Sequence, residues 1–276
     1  LLYMYCILPI SPLSIKDLIQ ASDVISLLVP DEQMGDIFSE HISPYLINGQ
    51  TLLFSHAYSI HFKHIFPPKF IDVILVAPSG SGKMVRSEFL NGRGVPNLIA
   101  THQDFSGKAL SIALAYSKAI GGTRTGAFLT SFEEEVITDI FGEQVLLIGS
   151  IPSIIKESFN VLLEDGYNPY IAWLVCYYEV KSIIDTFHGQ GFDFLNQSIS
   201  NLAEYGGSTR GKRLINKDTK LEMKRILNEI KDGTFEKEWK KEKNNNYKFL
   251  QEARLKVKES KIERINQELN NLFFEE

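Results

Sequence analysis

Three acidic side chains recur every four residues in SFEEEVITDIFGEQ (131–144): Glu135, Asp139 and Glu143. On a helix, positions i and i+4 share a face, so Asp139 and Glu143 stack and Glu135 extends the row by one turn. Stacked carboxylates repel one another unless something neutralises them. A divalent cation with a preference for oxygen does so. Spacing alone more often marks a solvated acidic face. The opposite face carries Phe132, Val136, Ile140 and Phe141, which are expected in the core. Other residues with chemical potential stand apart. Glu179 lies in CYYEVK, Ser200 in SISN, and His56 in FSHAYSIHF at the end of an apolar run. The remaining histidines (41, 61, 64, 102 and 188) have no partner at metal-ligand spacing and read as structural or solvated.

These residues need a scaffold, and two kinds of sequence supply it. DVISLLVP (23–30), GQTLLFSH (49–56), DVILVAP (72–78) and NLIAT (97–101) are short, β-branched and bounded by Pro, Gly or Asn. Continuous apolar runs of this kind fit parallel strands covered on both faces. DEQMGDIFSEHISPYL, between the first two, reads as a crossover helix. The rhythm is that of a doubly wound α/β sheet. From about residue 107 long helical patterns follow one another, with Gly121, Gly149, Gly166 and Gly189 where helices should stop. DTKLEMKRILNEIKDG (218–233) is amphipathic with Asp218 as candidate N-cap. EKEWKKEKNNNYK (236–248) reads as a solvated helix end and loop, and KIERINQELNNLF (261–273) as a last docking helix.

The chain has 276 residues, 44% hydrophobic, enough to bury one large or two ordinary cores. A net charge of -5 leaves no basic footprint for nucleic acid. Cys6 and Cys176 cannot build a disulfide framework, and no Cys/His spacing suggests zinc, so a reducing, cytoplasmic compartment is the expectation. Residues 1–10 are apolar but too short to span a bilayer, and they lack a basic leader. No membrane partner is expected.

Several segments, in order, resemble one family. LLVPDE (27–32), IHF…PP (60–68), DVILVAP, GRGVPNLIATHQDFSGKALSIALAYSKAIGGTRTG (92–126), FEEEVITDIFGEQ and SISNLAEYG (198–206) are similar to ketol-acid reductoisomerases of the short form. The resemblance covers nearly the whole chain. It implies a Rossmann-like NADPH-binding domain over 1–130 and an all-α, knotted, dimerising domain over 131–276. It implies conversion of 2-acetolactate or 2-aceto-2-hydroxybutyrate, both 2-hydroxy-3-keto acids, to 2,3-dihydroxy-3-methyl acids. An alkyl shift dependent on two Mg²⁺ ions is followed by hydride delivery from NADPH. By the same resemblance Asp139 bridges both metals and Glu143 binds one. Glu179 binds the second from across a homodimer, Ser200 contacts substrate, and His56 is the catalytic histidine. Asp31, Glu32, Gln33, Met34 and Gly82 lie at cofactor-binding positions.

Three departures from the family pattern stand out. The Gly-rich pyrophosphate fingerprint is absent, and the first recognisable segment, SIKDLIQASDV, already lies beyond it. The first βαβ unit, roughly fifty residues, is therefore expected upstream of this sequence. Ser79 replaces a frequent lysine in VAPSGSGK, with Lys83 four residues on. Val175 stands four residues before Glu179 in place of a second metal-binding glutamate, so weak occupancy of the second Mg²⁺ is expected. Two other readings compete. DVILVAPSGSGKMV suggests a P-loop, but Ala77 replaces its first glycine and Met84 its hydroxyl residue. A non-catalytic dimerising scaffold fits the missing fingerprint and Val175. The retained Asp139, Glu143, Glu179, Ser200 and His56 oppose it.

Overall fold

The computed structural model describes residues 13–274; the apolar run 1–10 and Cys6 lie outside the described residues. The chain divides into two compact units at Thr138/Asp139.

The first unit is a five-stranded sheet with helical crossovers. Its helices are α1 (Ile15–Gln20), α2 (Asp31–Ile37), α3 (Tyr58–His61), α4 (Gly82–Leu90), α5 (Ala109–Ala119) and the start of α6 (Phe132–Gly142). Its strands β1 (Val24–Leu27), β2 (Thr51–Phe54), β3 (Asp72–Pro78), β4 (Asn97–Gln103) and β5 (Ala127–Leu129) lie in chain order across the sheet. β1, β2 and β3 are parallel. β4 runs antiparallel to β3, with Pro78 opposite Asn97, and β5 pairs parallel with β4. The expectation that 97–101 is another parallel strand is thus corrected. An apolar run buried on both faces carries no information about its direction. Here the Ser79 amide donates to the Pro96 carbonyl at 2.8 Å and aligns the return.

Burial explains why these runs are strands. Leu52, Leu53 and Phe54 on β2 and Val73, Ile74 and Leu75 on β3 are fully buried, because helices cover both faces. Each such side chain contributes roughly 1.5–3 kcal/mol relative to exposure. On one face Leu53, Ile74, Val76 and Ile99 pack against Ala109 and Ala113 of α5, whose small side chains let the helix approach the sheet. Buried Asp72 opens β3. Its carboxylate accepts the amides of Phe105 and Ser106 at 2.7 and 2.9 Å and the Ser106 hydroxyl at 2.6 Å, which fixes the loop into α5.

The second unit has no strand among the described residues, in line with the all-α reading. α6 continues through a π-helical turn, Glu143–Leu147, into α7 (Ser150–Glu164). α8 (Pro169–Trp173) leads through a second π turn, Leu174–Tyr178, into α9 (Val180–Ser198). Then follow α10 (Asn201–Leu214), α11 (Lys217–Lys231), α12 (Thr234–Asn244), α13 (Lys248–Glu259) and α14 (Lys261–Phe274). α14 docks as expected: Ile262, Ile265 and Leu269 bury against Phe159, Ala172 and Trp173.

Several local expectations are corrected. Gly121 and Gly166 do follow α5 and α7 at positive φ, but Gly189 lies inside α9 and the break falls at Gly191, φ 85°. Gly149 ends no helix. It sits where a Cβ would come within 1.7 Å of the Gln144 carbonyl oxygen, so the π turn admits only glycine there. The cap of α11 is Asn216, in a capping box with Thr219, rather than Asp218. Asn216 precedes the helix in extended backbone, the geometry that lets its side chain reach the second and third amides. The run Phe132–Glu164 is one helical stretch long and apolar enough, by length and composition, to cross a membrane.

Candidate functional site

A crevice opens in the first unit at the carboxyl ends of its parallel strands. Leu28 follows β1, Ser55 follows β2, and Val76 and Pro78 close β3. Together with Gly80, Gly82 and Val85 of the next turn, and Tyr116 and Ile120, they line a cavity of about 370 Å³. Ligands of open α/β sheets bind at this edge, where successive crossovers leave the sheet. The lining is mostly apolar, which suits a flat ring, and the loop is glycine-rich, which lets backbone approach closely. Gly82 is the first residue of α4, and the Ser81 hydroxyl caps that helix by accepting the Met84 amide at 3.3 Å.

The Asp31–Met34 segment is divided by the helix it forms. Asp31 and Glu32 are half-buried and Gln33 is exposed. Met34 is only 3% exposed and packs in the core, so its side chain offers nothing to a cofactor. In α2 the fourth residue has turned back to the sheet, so of the four expected cofactor-binding positions Met34 is the one whose side chain faces the core.

His56 lies two residues past β2. Its Nδ1 is 3.2 Å from Asp31 Oδ2. A carboxylate can only accept, so Nδ1 is the ring nitrogen that donates in this contact. The following residue is fixed as well: the Ala57 amide donates to Glu135 Oε2 at 2.9 Å in the interior. Glu135 is 3% exposed, so it does not belong to a solvent-facing row of acids. The physical reason is helical drift. Each step of four residues advances about 40° around an α-helix. Glu135 therefore faces inward with Phe132, Val136 and Ile140, while Asp139 and Glu143 emerge exposed in the isolated chain. Phe141, expected in the core, is half-buried.

His61 and His102 are held below the ordinary histidine value of 6.5 by burial; a nearby Glu133 opposes this at His61. The His102 ring lies 5.3 Å from that of Phe132. His61 is half-buried and His102 is exposed, and neither stands at ligand spacing.

In the second unit Glu143 opens one π turn, its carbonyl accepting the amides of Ile148 and Gly149. Glu179 closes the other, its amide donating to the Leu174 carbonyl at 3.0 Å. Such insertions are rare in helices and concentrate at functional positions. Neither was legible in the sequence, except through Gly149. Val175 and Glu179 are both exposed. Ser200 is the N-cap of α10, its hydroxyl accepting the Ala203 amide at 3.2 Å. Among the described residues no group of three or more His, Cys, Asp or Glu side chains converges as a metal site.

An α/β unit with a crevice at its parallel strand ends, followed by a unit that is helical over its described residues, is the layout of a two-domain dinucleotide-binding protein. Residues 9–126 match the acetohydroxy acid isomeroreductase NADPH-binding domain and residues 132–275 the ketol-acid reductoisomerase C-terminal domain. The chain belongs to the ketol-acid reductoisomerase family, nicotinamide-dependent enzymes that isomerise and reduce small acetohydroxy acids in branched-chain amino-acid synthesis. A NADH-preferring ketol-acid reductoisomerase from an uncultured archaeon is similar at 38% identity and a TM-score of 0.93, over 95% of this chain and 80% of that one. A semialdehyde dehydrogenase NAD-binding protein from Cupriavidus necator, in complex with calcium and NAD, shares only the fold. It is 15% identical, with a TM-score of 0.59, over 81% of this chain and 82% of that one.

Proposed function

We propose that the chain converts 2-acetolactate or 2-aceto-2-hydroxybutyrate to the 2,3-dihydroxy-3-methyl acid at a site completed by a second copy of itself, using NADPH and Mg²⁺. The observation that carries this reading is the helical placement of Asp139 and Glu143. Two exposed carboxylates stand one turn apart at the mouth of a π turn, on a helix whose inner face is anchored by Glu135.

The donor set fits a hard cation, since all its side-chain atoms are carboxylate oxygens. Asp139 would bridge two ions and Glu143 would hold one, with Glu179 of the partner subunit on the other. Val175 supplies no ligand atom beside Glu179, so that ion is the weaker bound. When bound, the two Mg²⁺ ions polarise the ketone and acidify the tertiary hydroxyl, and the nicotinamide supplies the hydride. Ser200 of the partner subunit orients substrate. His56 serves as the acid–base group, while the apolar crevice walls keep water from the reducing ring. Gly82, Glu32 and Gln33 border the cofactor's path, and Lys83 takes the place of the lysine absent at position 79.

Dimerisation is supported by surface. The second unit carries exposed Leu146, Leu147, Ile148, Ile171 and Phe192, the kind of apolar surface a subunit interface covers. A boundary near residue 130, a knotted helical domain and a cytoplasmic setting belong to the same proposal.

Steady-state turnover of 2-acetolactate with Mg²⁺, comparing NADPH with NADH, tests the reading. Turnover with a nicotinamide cofactor is the expected result. The archaeal relative's preference for NADH makes the comparison of the two cofactors part of the test. Binding of cofactor without turnover at saturating Mg²⁺ would favour the scaffold reading.

A further inference from the structure

We propose that Asp31 is a positioning residue for the reaction, acting through His56, rather than a cofactor contact. The proposal rests on the reading of His56 as the acid–base group.

Asp31 is the first residue of α2 and His56 lies just beyond β2, so two neighbouring parallel strands deliver them to the same edge of the sheet. Their side chains meet at Oδ2 and Nδ1, 3.2 Å apart, across 25 residues of sequence. Both are partly shielded, with side chains 36% and 25% exposed. The contact therefore lies in a medium less polar than water, where a charge-assisted hydrogen bond is strengthened. Pro30, immediately before Asp31, fixes the entry into α2 and leaves the carboxylate few alternative positions.

The chemical consequence concerns the ring. Free neutral imidazole carries its hydrogen on either nitrogen. With Nδ1–H committed to the carboxylate, Nε2 becomes the basic atom, and the ring cannot rotate about its bond to Cβ without breaking the contact. The ring is also flanked by Tyr58, whose centroid is 6.0 Å away at an interplanar angle of 21°. The Glu135 bond to the Ala57 amide holds the backbone beneath it. Asp31 thus sets the tautomer and Tyr58 and Glu135 set the plane, which is the division of labour an acid–base histidine requires.

The test uses the full chain with ¹⁵N-labelled histidine. His56→Gln assigns the His56 resonance. In the unaltered protein, long-range ¹H–¹⁵N correlation spectra should show the Nδ1–H tautomer. Asp31→Asn and Asp31→Ala should shift it toward Nε2–H and lower kcat about tenfold, with cofactor Kd changed less than twofold. Asp31→Glu should restore part of both signals. A predominant Nε2–H tautomer in the unaltered protein, or no change in Asp31→Asn, overturns the proposal. So does a loss of cofactor affinity as large as the loss of turnover, which would return Asp31 to the cofactor site. If His56→Gln turns over normally, the underlying assignment of His56 fails instead. The spectra then still report separately whether Asp31 sets the tautomer.

Discussion

Glu135 Oε2 accepts the Ala57 amide at 2.9 Å across 78 residues of chain, joining the start of α6 to the turn after β2. This buried bond fixes the backbone next to His56 and the rotation of the first turns of α6. Glu135→Ala should lower unfolding free energy by about 1–3 kcal/mol, the cost of stranding a buried donor. Glu135→Gln, whose amide oxygen still accepts, should lose less. Urea denaturation of both variants makes the comparison; equal losses would mean the charge, not the Ala57 bond, supplies the stability.

Gly149 should tolerate no side chain. A Cβ there meets the Gln144 carbonyl, a backbone atom that cannot move aside cheaply. Gly149→Ala is expected to cost roughly 1–3 kcal/mol, as overpacking does, and to perturb the Glu143 turn. A thermal midpoint unchanged from the parent would show that the turn is readily remodelled.

Metal affinity should follow the carboxylate count. Val175→Glu is expected to tighten Mg²⁺ binding at the weaker site, and Asp139→Asn should weaken binding more than Glu143→Gln. Isothermal titration with Mg²⁺ reads all three. Matching effects at 139 and 143 would argue against a bridging role for Asp139, and no gain at 175 would misplace the second ion.

Acid should destabilise the first unit through His61 and His102. Burial holds both below 6.5, so the fold binds fewer protons than the unfolded chain as pH drops. Their contribution is present above 6.5 and is lost as pH falls from there through the folded-state values. Replacing both with Gln should flatten the stability profile between pH 7 and about 5. An unchanged slope would assign acid sensitivity to other groups.

Much of the fold was readable because the strands are short and saturated with β-branched or aliphatic residues, as in β3, and the later helices are long and periodic. The direction of β4 was not readable, since the apolar run 97–100 that marks it as a strand says nothing of which way it runs. The site was legible in part. Asp139 and Glu143 could be paired by spacing alone, but the same rule put Glu135 in their row. Four-residue spacing conceals a drift that brings the first acid into the interior. The burial of Met34 beside exposed Gln33 was hidden for a related reason, because adjacency in sequence is not adjacency on a helix. The Asp31–His56 contact was invisible because nothing local records which strands are neighbours.

The π turn at Glu143–Leu147 implies a sharp sensitivity to chain length. Removing one residue from that segment would let the helix relax into regular α geometry at little local cost. Every side chain beyond it would then swing by about 100° relative to Asp139. A deletion that looks harmless by hydropathy would redirect the whole exposed stripe of α7, so any graft or chimera made across this segment must conserve its residue count as well as its chemistry.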